Sequence, residues 1–176
     1  MTVFVALLRA INVGGTGKLP MKDLSALCAA LGFDRVRTYI QSGNVIFESN
    51  LSERAIRARL EKALTEKLGK RADVVVRTGP ELRSVLRANP FPNADASRVG
   101  VFFRADVLDK TLLGEVVAPG GEEVRLGKRE IYIHFPQGMG RSKLKLPAGV
   151  GTLRNINTVA KLVDMASGLQ SWNMQP

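Results

Sequence analysis

Four short polar stretches hold the side chains that could do chemistry in this 176-residue chain. Gln41-Ser42-Gly43-Asn44 offers two carboxamides and a hydroxyl around a glycine. Gly140-Arg141-Ser142-Lys143 sets a guanidinium, a hydroxyl and an ammonium side by side. Arg154-Asn155 precedes a helix-forming run, and Arg9 and Asn12 lead into a glycine-rich loop that ends at Lys18. Guanidinium groups grip phosphate or carboxylate bidentately, and lysine adds a point charge. Neighbouring glycines let a ligand approach the backbone closely. The shared chemistry is anion binding. Each stretch also has a local explanation, because turns and helix caps use the same residues.

Covalent chemistry finds less support. Ser42 and Ser142 become nucleophiles only beside an activating base, and the sequence points to none. His134 is the single histidine, and no Ser-His-Asp order or paired-carboxylate motif stands out. Cys28 is the single cysteine, which excludes an internal disulfide and argues against a zinc centre. No metal and no cofactor is expected. A nucleotide-hydrolysing phosphate loop needs G-x-x-x-x-G-K-[ST]. Here Asn12 stands in place of the first glycine, and Leu19 in place of the magnesium-binding hydroxyl. Two readings of that loop stay open: an anion held by backbone N–H groups near Lys18, or a turn that simply needs glycine.

Composition narrows the partners. With 26 Lys+Arg against 16 Asp+Glu the net charge is +10, which favours an anionic small molecule or nucleic acid. Residues 51–90 hold 10 basic and 5 acidic side chains, so much of the surplus falls there. Aromatic residues are only 6% of the chain, too few for RNA recognition by stacking on the strands. No secretory signal and no membrane-length apolar run is present, so a cytoplasmic protein without a membrane partner is expected.

The elements that must position these groups follow from periodicity. Residues 2–10 form an apolar run suited to a strand buried on both faces. Met21, Leu24, Leu27, Cys28 and Leu31 recur at helical spacing after Pro20, and Gly32 ends that helix. Residues 36–41 and 44–49 read as a hairpin, with Gly43 and Asn44 suited to positive φ in the turn. A helix over 52–68 is expected, capped by Asn50 and Glu53, striped with Ile56, Leu60 and Leu64, and stopped by Gly69. A strand at 73–76 completes β-α-β-β-α-β, the ferredoxin-like order.

Thr78 and Glu81 form a second capping box for a short helix that Asn89-Pro90 stops. A strand at 99–104 and a helix from Asp106 with Leu108, Leu112 and Val116 come next. A hairpin at 123–135 puts Ile131, Ile133 and Phe135 on one face, with Tyr132 and His134 on the other. A last helix is capped by Asn157 and closed by Gly168. The expected fold is α+β, with two ferredoxin-like halves of antiparallel sheet and helices packed on one face. The halves are 1–78 and 99–176, joined by a helix and linker at 79–98.

Four segments in order resemble one known family: 5–15 (Val-Ala-Leu-Leu-Arg-Ala-Ile-Asn-Val-Gly-Gly), 37–45 (Arg-Thr-Tyr-Ile-Gln-Ser-Gly-Asn-Val), 140–144 (Gly-Arg-Ser-Lys-Leu) and 154–159 (Arg-Asn-Ile-Asn-Thr-Val). The chain resembles the bacterial family of unknown function DUF1697 over nearly its whole length. The resemblance implies ferredoxin-like α+β halves and a cytoplasmic protein, and no established activity. It also implies a glycine where Ala10 stands and an aromatic residue where Ile156 stands, so the chain departs from the pattern twice.

Arg9, Asn12, Lys18, Gln41, Ser42, Asn44, Arg141, Ser142, Lys143, Arg154 and Asn155 are the candidate ligand-binding residues. They are expected to line one polar cleft for a phosphate-bearing ligand, a nucleotide or a nucleic-acid backbone. Two alternatives remain: an enzyme acting on a small phosphorylated or carboxylated metabolite clamped by Arg141 and Lys143, or a structural protein whose polar segments are turns and caps.

Overall fold

In the computed structural model, which describes residues 1–12 and 18–172, strand β1 (Thr2–Leu8) is buried at every position after Thr2. Its apolar run leaves no polar face to offer water, so it takes a central place in its sheet. It pairs antiparallel with β3 (Asn44–Ser49) on one side and β4 (Val74–Thr78) on the other. Strand β2 (Asp34–Tyr39) pairs with β3 and forms the edge, giving the order β2-β3-β1-β4.

Helices α1 (Met21–Ala30) and α2 (Glu53–Leu68) cover one face of that sheet. Leu24 and Cys28 of α1, with Ile56, Leu60 and Leu64 of α2, pack on Phe4, Ala6, Val45, Phe47 and Val76. Removing the Leu60 side chain would cost about 2–5 kcal/mol through lost transfer energy and the cavity left behind. Burial pushes the Cys28 thiol up to about 12, which keeps it unreactive. Gly32 and Gly69 terminate α1 and α2 in the left-handed conformation, as expected. Ser52, rather than Asn50, caps α2: its hydroxyl accepts the Ala55 N–H at 3.3 Å.

The chain divides into two compact units, Met1–Leu82 with the residues from Leu162 onward, and Arg83–Lys161. The Thr78–Glu81 capping box forms in full at the start of α3 (Gly79–Arg87): Thr78 N donates to Glu81 Oε2 at 2.8 Å, and Glu81 N donates to Thr78 Oγ1 at 3.3 Å. The second unit holds a sheet of β5 (Val99–Arg104), β6 (Glu123–Leu126), β7 (Glu130–His134) and β8 (Gly151–Asn155), in the order β6-β7-β5-β8. All of its pairings are antiparallel. Ile131, Ile133 and Phe135 share one face with Phe102, Leu144, Leu146 and Leu153 around them. Tyr132 points to the other face, where its hydroxyl donates to Val85 O at 2.7 Å.

Local expectations change at several points here. No α-helix forms at 106–118; a 3₁₀ segment, Lys110–Glu115, takes its place. Asp109 accepts both the N–H and the hydroxyl of Thr111, which closes a local turn, and Gly114 then weakens any continuation. Strand β8 is the second change, because the buried Arg154 interrupts the apolar pattern by which a strand is recognised. Helix α4 (Ile156–Trp172) follows at once and continues through Gly168, which was expected to close it. Its cap is Asn155 rather than Asn157: Asn155 Oδ1 accepts the Asn157 N–H at 2.8 Å.

Candidate functional site

In the first unit β1 ends where the β2–β3 turn folds over it, and three non-glycine residues adopt positive φ at that corner. They are Ala10 at 49°, Asn12 at 59° and Ile40 at 50°. Left-handed backbone costs an L-residue about 1–2 kcal/mol, and a β-branched side chain makes it rarer still. Two asparagines hold the strain. Asn12 Nδ2 donates to Leu19 O and to Gln41 O, each at 2.9 Å, while its Oδ1 accepts the Leu19 N–H at 2.6 Å. The buried Asn44 donates to Tyr39 O at 2.9 Å and to Ser42 Oγ at 3.0 Å. The carbonyls on either side of Ile40 are thus each fixed by an asparagine side chain.

Gly43 rather than Asn44 supplies the positive φ of the turn, at 85°. A Cβ there would fall 2.4 Å from Ile11 Cδ1, so glycine is required for space as well as for conformation. The result is an ordered tip on which Gln41, Ser42 and Ile40 are exposed. Ile40 keeps 47% of its surface in water although it is a large apolar side chain. Lys18 is exposed beside the buried Leu19. The glycine-rich part of the loop, Gly14-Gly15-Thr16-Gly17, lies outside the described residues.

On the β4 side of β1, residues 9–11 and 68–73 enclose a recess of about 160 Å³. Arg9, Lys70 and Arg71 stand around it with a single carboxylate, Asp73. Arg71 Nε bonds Asp73 Oδ1 at 2.9 Å, and Arg9 Nη1 lies 3.6 Å from Asp73 Oδ2. The two guanidiniums are therefore held apart on opposite oxygens of one acid. Both stay reachable, with Arg9 50% and Arg71 77% exposed. Lys70 makes no ion pair among the described residues. The walls include the buried Ile11 and Ala72 and the half-buried Leu68.

The polar residues of the second unit are engaged differently. Ser142 donates to Glu122 Oε1 at 2.5 Å and accepts the Leu144 N–H at 3.1 Å. That bond, followed by others at the turn, holds the Glu122 carboxyl below the usual carboxylate range. An acid held ionised by its hydrogen bonds is a weak base, so the pair braces the turn. Arg141 and Lys143 flank it, exposed. Arg154 is buried, donates to Thr152 Oγ1 at 2.6 Å and Leu153 O at 2.9 Å, and burial holds its guanidinium down to about 10. Asn155 Nδ2 lies 3.0–3.2 Å from the carbonyls of Ala96, Ser97 and Val99, and 3.7 Å from Met139 Sδ.

The structure therefore brings Arg9, Asn12, Lys18, Gln41, Ser42 and Asn44 to one corner of the first unit. Arg141, Ser142, Lys143, Arg154 and Asn155 belong to the second. Lys70, Arg71 and Asp73 were not among the sequence candidates. Their signal was faint: two cations directly after the helix-ending Gly69, readable as ordinary helix-terminal charge. Among the described residues no cluster of His, Cys, Asp and Glu is placed to hold a metal ion, and no helix is long and apolar enough to cross a membrane.

Comparison with known sequences decides the affiliation. The family described as a protein of unknown function (DUF1697) matches residues 1–132. The chain belongs to the DUF1697 family. No curated protein matches it. Among solved structures it is similar to the conserved bacterial protein SP0830 from Streptococcus pneumoniae, with a TM-score of 0.78 and 25% identity. That match covers 94% of this chain and 98% of the other. For this DUF1697 chain the glycine expected at Ala10 has a backbone reason, since φ there is 49°. Ile156 is buried at the start of α4, so its side chain packs inside the protein instead of facing solvent.

Proposed function

We propose that this DUF1697 protein binds an anionic, phosphate-bearing ligand, a nucleotide or the end or backbone of a nucleic acid, and that the recess beside β1 anchors it. One observation carries the reading: Arg9, Lys70 and Arg71 border a hollow in which only Asp73 opposes them. Apolar walls strengthen the attraction by excluding water from one side of the charges. The rigid corner next to it, with Gln41, Ser42 and Ile40 exposed, offers contacts for the rest of the ligand. A net charge of +10 draws anions towards the molecule.

The fold behind this reading is ferredoxin-like in each half. The parallel between the orders β2-β3-β1-β4 and β6-β7-β5-β8 supports it, since each has its first and third strands at the centre. A cytoplasmic setting, where nucleotides and phosphorylated metabolites are abundant, fits the same reading.

Thermal-shift titration with inorganic phosphate, nucleotides and short oligonucleotides tests the proposal, because a native-state ligand raises apparent stability by mass action. The expected result is stabilisation that fades between about 50 and 200 mM salt and is lost in the exposed-cation variant K70A/R71A. Stabilisation of equal size in that variant would overturn the assignment of the site.

A further inference from the structure

Taking the anion-binding reading of this recess as given, we infer that the group it accepts is the dianionic end of a phosphate monoester. Two properties of the hollow lead there. The first is charge: Arg9, Lys70 and Arg71 against Asp73 leave a surplus of two positive charges. A terminal phosphate carries close to two negative charges at neutral pH, because its second ionisation lies near pH 6. A phosphodiester or a carboxylate carries one and leaves a cation without its counter-charge.

The second property is size. Pockets that enclose a whole small molecule measure about 300–1,000 Å³, whereas this one is about 160 Å³. It is too small to enclose a nucleotide or a sugar phosphate whole, so the anionic end enters and the remainder of the ligand stays outside. A monoester enters such a recess end-on and presents three unsubstituted oxygens to the two guanidiniums and the ammonium. A diester has two substituents that must both leave through the opening, and only two oxygens to offer.

Asp73 sets the spacing of the cations and the net charge of the recess. Its carboxylate bonds Arg71 at 2.9 Å and faces Arg9 at 3.6 Å, so it spaces the guanidiniums and cancels one of their charges. Without it the recess would attract every anion more strongly, and the guanidiniums would lose the acid that spaces them. Lys70, unpaired with any carboxylate among the described residues, supplies the charge that matches the second negative charge of a terminal phosphate. No histidine lines the recess, so the pH response near neutrality belongs to the ligand.

The test is calorimetric titration of the full chain at low salt with phenyl phosphate, methyl phenyl phosphate and benzoate. Phenyl phosphate is expected to bind about tenfold tighter than either monoanion at pH 8. That advantage should shrink to under about threefold at pH 5, as the phosphate dianion takes up one proton and becomes a monoanion. D73N, which raises the surplus to three, should strengthen binding of the dianionic monoester more than that of the monoanions and so widen the preference, and K70A should narrow it by weakening the monoester. Lys70 is exposed after a helix end, so K70A keeps the test available should D73N not fold.

The source of the monoester is read with ribose 5-phosphate and with one short oligonucleotide carrying either a 5′-phosphate or a 5′-hydroxyl. Binding of the sugar phosphate, or of the phosphorylated oligonucleotide over its hydroxyl twin, supports the inference and tells the two sources apart. Equal binding of monoester and diester, or of the two oligonucleotides, overturns the monoester assignment and leaves anion binding standing. Failure of every anion to bind removes the anion-binding reading itself.

Discussion

The polar corner of the first unit and the polar turn of the second use the same residue types to opposite ends. Around β1 the asparagines fix the backbone, and the cations Arg9, Lys70 and Arg71 are left bordering a hollow. In the second unit the hydroxyl of Ser142, the amide of Asn155 and the guanidinium of Arg154 are all engaged by neighbouring protein groups. Its exposed cations, Arg141 and Lys143, sit on a short 3₁₀ turn and the segment after it. A guanidinium next to a serine therefore says little about binding by itself. What separates the two regions is whether hydrogen-bonding capacity remains after the fold has been held together, and whether it faces a concave surface.

Charge removal should break the comparison most sharply. K70A/R71A is expected to weaken binding of a phosphate ligand about tenfold or more, since charge-assisted hydrogen bonds contribute about 1.5–3 kcal/mol each. The matching pair R141A/K143A should change it less than about threefold, as for surface charges in water. Equal losses in calorimetric titrations would mean that both regions bind, and the contrast would collapse.

Removing the bracing amides comes next in size. N12A should destabilise the protein by about 2 kcal/mol, because the Leu19 N–H and the Gln41 carbonyl lose their partner together. It should also weaken phosphate binding. N155A should cost about 1–2 kcal/mol through the lost helix cap, with binding unchanged. Urea denaturation beside titration separates the two behaviours.

A smaller effect of opposite sign is expected at Ala10. A10G relieves a φ of 49° and should raise stability by up to about 1 kcal/mol, partly offset by the greater freedom of glycine in the unfolded chain. A lower urea midpoint would show that the Ala10 methyl makes contacts that outweigh the strain.

The smallest change is expected for S142A. The Ser142 hydroxyl is the leading cause that holds Glu122 below the usual carboxylate range. A carboxylate depressed in the folded state adds stability above its unfolded pKa and loses it as pH falls through the folded value. The gap between the parent protein and S142A should thus be full at neutral pH. It should close as acid protonates Glu122, below the usual carboxylate range. Melting temperatures across pH 2.5–7 measure it; a gap that does not vary with pH would remove Glu122 from the account.

Much of the first unit was legible in the chain because its signals are local. The apolar run of residues 2–8, the Ile56-Leu60-Leu64 stripe, Gly69 and the Thr78–Glu81 box each act within a few residues of themselves. The second unit was less legible for the same reason. Asp109 and Gly114 divert a helical pattern into a 3₁₀ turn, and β8 carries a buried arginine where an apolar residue would announce a strand. Ile40 misled in another way: a β-branched residue was placed in a strand, yet its φ of 50° is imposed by Asn12 and Asn44 on either side.

The sequence by itself determined the α+β class, the strong positive charge and the single inert cysteine. Those are properties of composition and of short-range periodicity. The recess was decided only by tertiary structure, because it exists through the β1–β4 register, in which Leu8 lies opposite Val74 and Arg9 N donates to Asp73 O at 3.0 Å. Antiparallel pairing is what sets Arg9 beside Lys70 and Arg71, and no local rule in either segment encodes which residue of the other strand it will meet.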